Sequence, residues 1–172
     1  MVDQIKRAFD VAQKRNFKKL YYFFDIHETI IIPDWSNTEP LRFYPYAKEA
    51  LQLITSGKPI TFGDFTVEIV NGLFTCSHPE EIEWYQGFFK EHDIHFKYVN
   101  ENPEVVNTRL GCFDKKPYMN VLFEDKAGFE AQTDWRAIYY YFAELQSNGQ
   151  EVINIDFKFL YPHITQEKFP RK

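Results

Sequence analysis

Apolar residues recur along this chain in two rhythms. From Asp3 to Arg15 they fall at Ile5, Phe9 and Ala12, the spacing of one helical face. Leu20 to Phe24 is instead a continuous aromatic run, the signature of a strand buried on both faces. The helical rhythm returns at Tyr46 to Ile54 (Ala47, Ala50, Leu51, Ile54), and Val67, Ile69, Val70, Leu73 and Phe74 mark a second strand over Thr66 to Thr75. Between these, Pro33 to Pro40 reads as a loop and Lys58 to Phe65 as an irregular hairpin. Ser77-His78-Pro79-Glu80 predicts a helix start, with Ser77 as N-cap and Glu80 closing a capping box, and that helix runs to about His92. Further strands are expected at His95 to Val99, Tyr118 to Phe123 and Glu151 to Leu160. A helix over Thr133 to Leu145 is expected to face inward with Ala137, Ile138, Tyr141 and Leu145 and to stop at Gly149. Strands alternating with helices of this length predict a single α/β domain around a mainly parallel sheet.

Composition changes this picture little. The 172 residues suit one domain with a sizeable core. Aromatics reach 19%, and in apolar strands and helix faces they read as core before base-stacking surface. A net charge of −5 argues against a nonspecific nucleic-acid coat and against an anionic membrane surface. No segment reads as a membrane span or a signal peptide. Two cysteines, Cys76 and Cys112, cannot build a disulfide framework, so a cytoplasmic protein with reduced thiols is expected.

Candidate chemistry sits where the expected strands end. Asp25, Thr75, Lys116 and the pair Glu124-Asp125 follow or close strands, and open parallel sheets gather such ends along one edge. Carboxylates there are suited to Mg²⁺, a hydroxyl to donating a hydrogen bond, and a lysine to neutralising an anion. The set fits a phosphoryl group, with Asp25 as a nucleophile. Rival clusters are weaker: His92 and His95 lack a third ligand of suitable spacing for zinc, and Cys76 beside His78 lacks an oxyanion-hole signature.

Asp25-Ile26-His27-Glu28-Thr29 after a hydrophobic strand, Leu73-Phe74-Thr75, and the stretch from Lys116-Pro117 to Glu124-Asp125-Lys126-Ala127 resemble, in order, the motifs of the haloacid dehalogenase-like (HAD-like) hydrolases. The resemblance spans Leu20 to about Phe129. It implies a three-layer Rossmann-like fold with helices flanking the sheet. It also implies an aspartyl-phosphate on Asp25, phosphoryl binding by Thr75 and Lys116, and Mg²⁺ held by Asp25, Glu124, Asp125 and the backbone carbonyl of His27. The departures are Glu124, in place of the first Asp of the acidic pair, and His27, which stands where the family carries its acid–base Asp. A histidine performs that work near neutral pH, so His27 is a candidate catalytic residue.

The expected activity is therefore Mg²⁺-dependent hydrolysis of a phosphomonoester, small or exposed on a larger molecule. The rival is a catalytically silent binding or regulatory protein, in which His27 marks lost turnover. Neither the Thr29–Thr75 nor the Thr75–Lys116 interval accommodates a large cap. Cover is expected from Tyr44, Tyr46 and the Lys58–Phe65 segment, or from a partner subunit in a homo-oligomer.

Overall fold

In chain order the elements are α1 (Val2–Arg15), β1 (Lys19–Phe24), β2 (Ile31–Ile32), β3 (Arg42–Phe43), α2 (Ala47–Ile54), β4 (Ile60–Phe62), β5 (Phe65–Leu73), α3 (Pro79–Glu91), β6 (Tyr98–Val99), β7 (Val121–Phe123), a 3-10 turn (Asp125–Ala127) and α4 (Ala131–Gln146). They are seen in a computed structural model that describes residues 1–36 and 38–147; the expected helix stop at Gly149 and the expected last strand lie outside them. The fold is α/β, with a central, mainly parallel sheet flanked by helices.

β1 occupies the middle of that sheet because it is the chain's most continuously apolar run. It pairs in parallel with β5 on one side and β7 on the other, while β5 takes β6 in parallel at its far edge. Phe24 is in register with both Leu73 and Phe123, and Leu73 with Val99. Four strands therefore end on one line, which delivers Asp25, Phe74-Thr75, Glu124 and Asn100 to the same edge. The connection from β1 leads to β5 on one side, whereas β7 lies on the other. Such a reversal of strand order opens a crevice at the carboxyl ends.

Buried residues of all four helices share one core with Leu20, Tyr22 and Phe24. The α1 face is the expected one, Ile5, Phe9 and Ala12. On α4 the expected face is corrected: Ala131, Trp135, Ile138 and Phe142 are buried, while Ala137, Tyr141 and Leu145 lie at the margin. Only Ile138 is common to both. The buried set also keeps helical spacing, and it wins because it lays an indole on the aromatic ends of β1 and β7. The expected start of α3 also shifts by one residue. His78 is the N-cap, and its N–H donates to the Glu81 carboxylate at 3.0 Å. The Ser77 hydroxyl is taken by Thr75 instead.

The Lys58–Phe65 stretch forms an antiparallel hairpin, with Phe62 paired to Phe65 across Gly63 and Asp64. Gly63 has φ 59°, the left-handed setting that a tight hairpin turn uses. Gly72 is required for a different reason. A Cβ there would stand 2.6 Å from Phe23 Cε1 and 3.0 Å from the Tyr98 carbonyl oxygen. Gly72→Ala is expected to cost about 1–3 kcal/mol, read by denaturant titration, because a backbone atom cannot step aside as a rotamer can.

Candidate active site

Asp25 continues the parallel ladder beyond β1, its N–H donating to the Phe123 carbonyl at 2.9 Å. The chain then turns sharply: the Ile30 and Ile31 N–H groups both return to the Ile26 carbonyl, and Glu28 adopts φ 56°. This turn buries Thr29, whose Oγ1 accepts the Asp125 N–H at 3.3 Å and whose carbonyl accepts the Trp135 indole N–H at 2.6 Å. The first motif is thereby tied to the acidic pair and to the core.

Asp25, Glu124 and Asp125 each bring a carboxylate oxygen within 4.8 Å of the others. This is the one such metal-holding group among the described residues, and neither His92 nor His95 belongs to one. His92 is instead packed edge-on against the stacked rings of Phe43 and Phe88. Lys126 lies 3.1 Å from Asp125 Oδ1 and 4.0 Å from Glu124.

Burial pushes the Asp25 carboxyl above its usual range, and the neighbouring Asp125 adds to this. Burial raises Glu124 as well, helped by the hydrogen bond with Asp125 and the charge of Asp25. Burial works upward on Asp125 too, but its bonds to Glu124 and Lys126 prevail and bring it down. Packed carboxylates that resist ionisation suit a hard divalent cation, since oxygen donors and excess negative charge are what it binds.

A carboxyl whose folded-state pKa is raised stabilises the fold below its unfolded value and loses that contribution as pH rises through the folded one. In chelator-treated protein at neutral pH, Glu124→Gln should therefore melt a few degrees higher than wild type, the difference closing near about pH 3. Unchanged melting temperatures at both pH values would contradict this account of the triad.

Asp25 and Glu124 of the triad line a cleft of about 1220 Å³ that also contains Thr75, His27, Tyr85, Asn100 and Lys115. Thr75 is clamped by Asn100, which accepts its N–H at 2.8 Å and donates to its carbonyl at 2.7 Å. Lys116 is exposed and does not line the cleft, whereas Lys115 does. His27 does line it. Its Nε2 is 2.7 Å from the Tyr85 hydroxyl, and Trp35 stacks on its ring with centroids 5.3 Å apart.

Two parts of the expected lid, Tyr46 and the Lys58–Phe65 segment, are corrected, while nothing overturns Tyr44, which feels the charges of Glu28 and Asp125. The Gly63-Asp64 turn precedes β5 and so lies at the sheet end opposite the site, while the Tyr46 ring packs against Tyr139 and Tyr140 of α4. Cover comes from Pro33, Asp34, Trp35, Glu39, Pro40 and Leu41, carried between β2 and β3. Asp34 holds that loop, accepting the Ser36 hydroxyl and the N–H groups of Ser36, Thr38 and Glu39, and these bonds, the hydroxyl's foremost, keep its carboxyl well below the usual range.

Sequence reading missed Tyr85, Asn100, Trp35 and Trp84, and of two adjacent lysines it favoured Lys116, by resemblance, over the Lys115 that lines the cleft. Asn100 carried a faint signal, an Asn just after an expected strand. For the others only the fold brings them to Asp25.

The chain matches no protein-family model, no curated protein and no solved structure. Among the described residues no helix is long and apolar enough to cross a membrane.

Proposed function

We propose that the protein is a Mg²⁺-dependent phosphomonoester hydrolase of the HAD-like kind, working through an aspartyl-phosphate on Asp25. The observation that carries this reading is the convergence of Asp25, Glu124 and Asp125 within 4.8 Å at the aligned ends of β1 and β7. The Rossmann-like reading of the layers belongs to the same proposal. Helices cover the Leu20–Tyr22–Phe24 face, and Tyr21 on the opposite face meets Tyr118 and Glu104 of the segment before β7.

In this reading a carboxylate oxygen of Asp25 attacks phosphorus, and the ester oxygen leaves with its electron pair. Bound Mg²⁺, held by Asp25, Glu124, Asp125 and the carbonyl of His27, would neutralise charge on the phosphoryl group. Thr75 donates a hydrogen bond to a phosphoryl oxygen. The cationic role expected of Lys116 passes to Lys115, which lines the cleft. His27 delivers a proton to the departing oxygen and later withdraws one from the water that cleaves the acyl phosphate. Burial raises the Tyr85 phenol, so it keeps its own proton, and its oxygen accepts the Nε2–H of His27, which leaves Nδ1 to give up a proton from the imidazolium and, as neutral imidazole, to take one back.

The decisive experiment is Mg²⁺-dependent phosphate release from a phosphomonoester panel, with acid quenching to trap a hydroxylamine-labile phosphate on Asp25. A silent binding protein is the second reading, favoured by the engagement of His27 with Tyr85. It predicts Mg²⁺ binding without phosphate release or a trapped acyl phosphate.

A further inference from the structure

Large aromatic side chains on a protein surface are ordinary singly, but two indoles sharing a cleft with the chemical centre are not. Trp35 is 75% exposed and Trp84 54% exposed, and both line the cleft that holds Asp25. The chain's remaining tryptophan, Trp135, is fully buried. The two exposed indoles end a continuous row of rings. Trp35 stacks on His27 at 5.3 Å, His27 meets Tyr85 edge-on at 5.2 Å, and Tyr85 meets Trp84 at 5.1 Å. The middle of this row is anchored by the His27–Tyr85 hydrogen bond, and the loop bearing Trp35 is held by the Asp34 carboxylate. These indoles are therefore positioned in the free protein, with open area facing the cleft.

We infer that this row is a stacking platform for the base of a nucleoside monophosphate, whose phosphate reaches the carboxylate triad. The inference rests on the phosphoester reading of the same cleft and names its substrate class. Stacking fits any planar base, because every base has a π-face.

One further observation favours a mononucleotide over a nucleic-acid strand. Glu28, Asp34, Glu39 and Glu81 line the cleft outside the triad, against Lys115 and Lys126. That acidic balance opposes the repeated phosphates of a nucleic-acid strand and favours recognition through an uncharged ring.

The test is the ratio of affinities for AMP and ribose 5-phosphate, measured by calorimetry on the full chain with Mg²⁺, alongside phosphotyrosine. If wild type turns the ligands over, the non-hydrolysable phosphonate analogues of AMP and ribose 5-phosphate take their place. AMP is expected to bind at least about tenfold more tightly than ribose 5-phosphate, from the usual strength of base stacking. Trp84→Ala, which leaves the Trp35–His27 stack intact, and Trp35→Ala should each pull this ratio toward one. Near-ultraviolet circular dichroism from buried Trp135 checks that the variants remain folded. Equal binding of AMP and ribose 5-phosphate, a ratio indifferent to both substitutions, or tighter binding of phosphotyrosine would overturn the platform. A tryptophan-dependent preference for AMP without phosphate release from it would keep the platform and remove the hydrolase. Hydrolysis of ribose 5-phosphate as efficient as that of AMP, with no difference in binding, would do the reverse.

Discussion

Asp25→Asn is expected to lower Mg²⁺-dependent phosphate release by about a thousandfold or more, the scale on which removal of a nucleophile is felt. The amide is nearly isosteric, so the ladder bond from the residue 25 N–H to Phe123 should persist. What is lost is the carboxylate that the proposed reaction needs for attack and one arm of the metal site. The same substitution should raise the melting temperature of chelator-treated protein at neutral pH, since burial makes ionised Asp25 costly to the fold. Added Mg²⁺ should then stabilise wild type and not the variant, because a ligand stabilises only the state that binds it. Loss of activity accompanied by a gain in stability separates a chemical role from simple unfolding. A variant that retains wild-type turnover would remove Asp25 as nucleophile. His27→Asp belongs in the same assay. If wild type is silent and this variant releases phosphate, the silent-relative reading is correct.

Trp135→Ala should cost about 3–5 kcal/mol, the range for truncating a buried aromatic to alanine. Trp135 lies nearly parallel to Phe123 with centroids 5.9 Å apart, stacks on Phe24 at 6.1 Å, and meets Phe129 edge-on at 5.1 Å. Its indole N–H also satisfies the buried Thr29 carbonyl. Trp135→Phe keeps most of the packing and loses only that donor. Its cost should be smaller, about 1–3 kcal/mol for leaving a buried acceptor unpaired. Thr29 Oγ1 accepts the Asp125 N–H, so even this milder variant should weaken Mg²⁺ binding through displacement of Asp125. Denaturant titration gives the stability change and metal titration the affinity. A destabilised Trp135→Phe with unaltered Mg²⁺ affinity would show that the core and the acidic pair are not coupled through Thr29.

The core strands were legible because their apolar residues are contiguous. The Leu20–Phe24 run is the central strand, and the Thr66–Thr75 reading covers most of β5. Shorter elements were harder: only Tyr98–Val99 and Val121–Phe123 remain of two longer expected strands. Their flanking residues bond to side chains and turns instead, as when the Tyr21 N–H donates to Asn120 Oδ1. The α4 face was misread because Tyr141 and Phe142 offer two overlapping apolar stripes. Local periodicity has no means of choosing between them.

At the site, residue type and distance from a strand end were enough to single out Asp25, Thr75, Glu124 and Asp125. Each is fixed by backbone register within a few residues of an apolar run. The lysine facing the cleft, the ring beside His27 and the loop covering the site obey no such local rule. Lys115 and Lys116 are adjacent and chemically alike, and only the folded chain shows that Lys115 lines the cleft. Tyr85 reaches His27 from a helix that sequence places 58 residues away. The sequence alone determined which strands are buried and which carboxylates follow them, because burial and alternation are local properties. Tertiary structure decided what stands around those carboxylates, because side chains from distant segments meet only when the shared core aligns their elements.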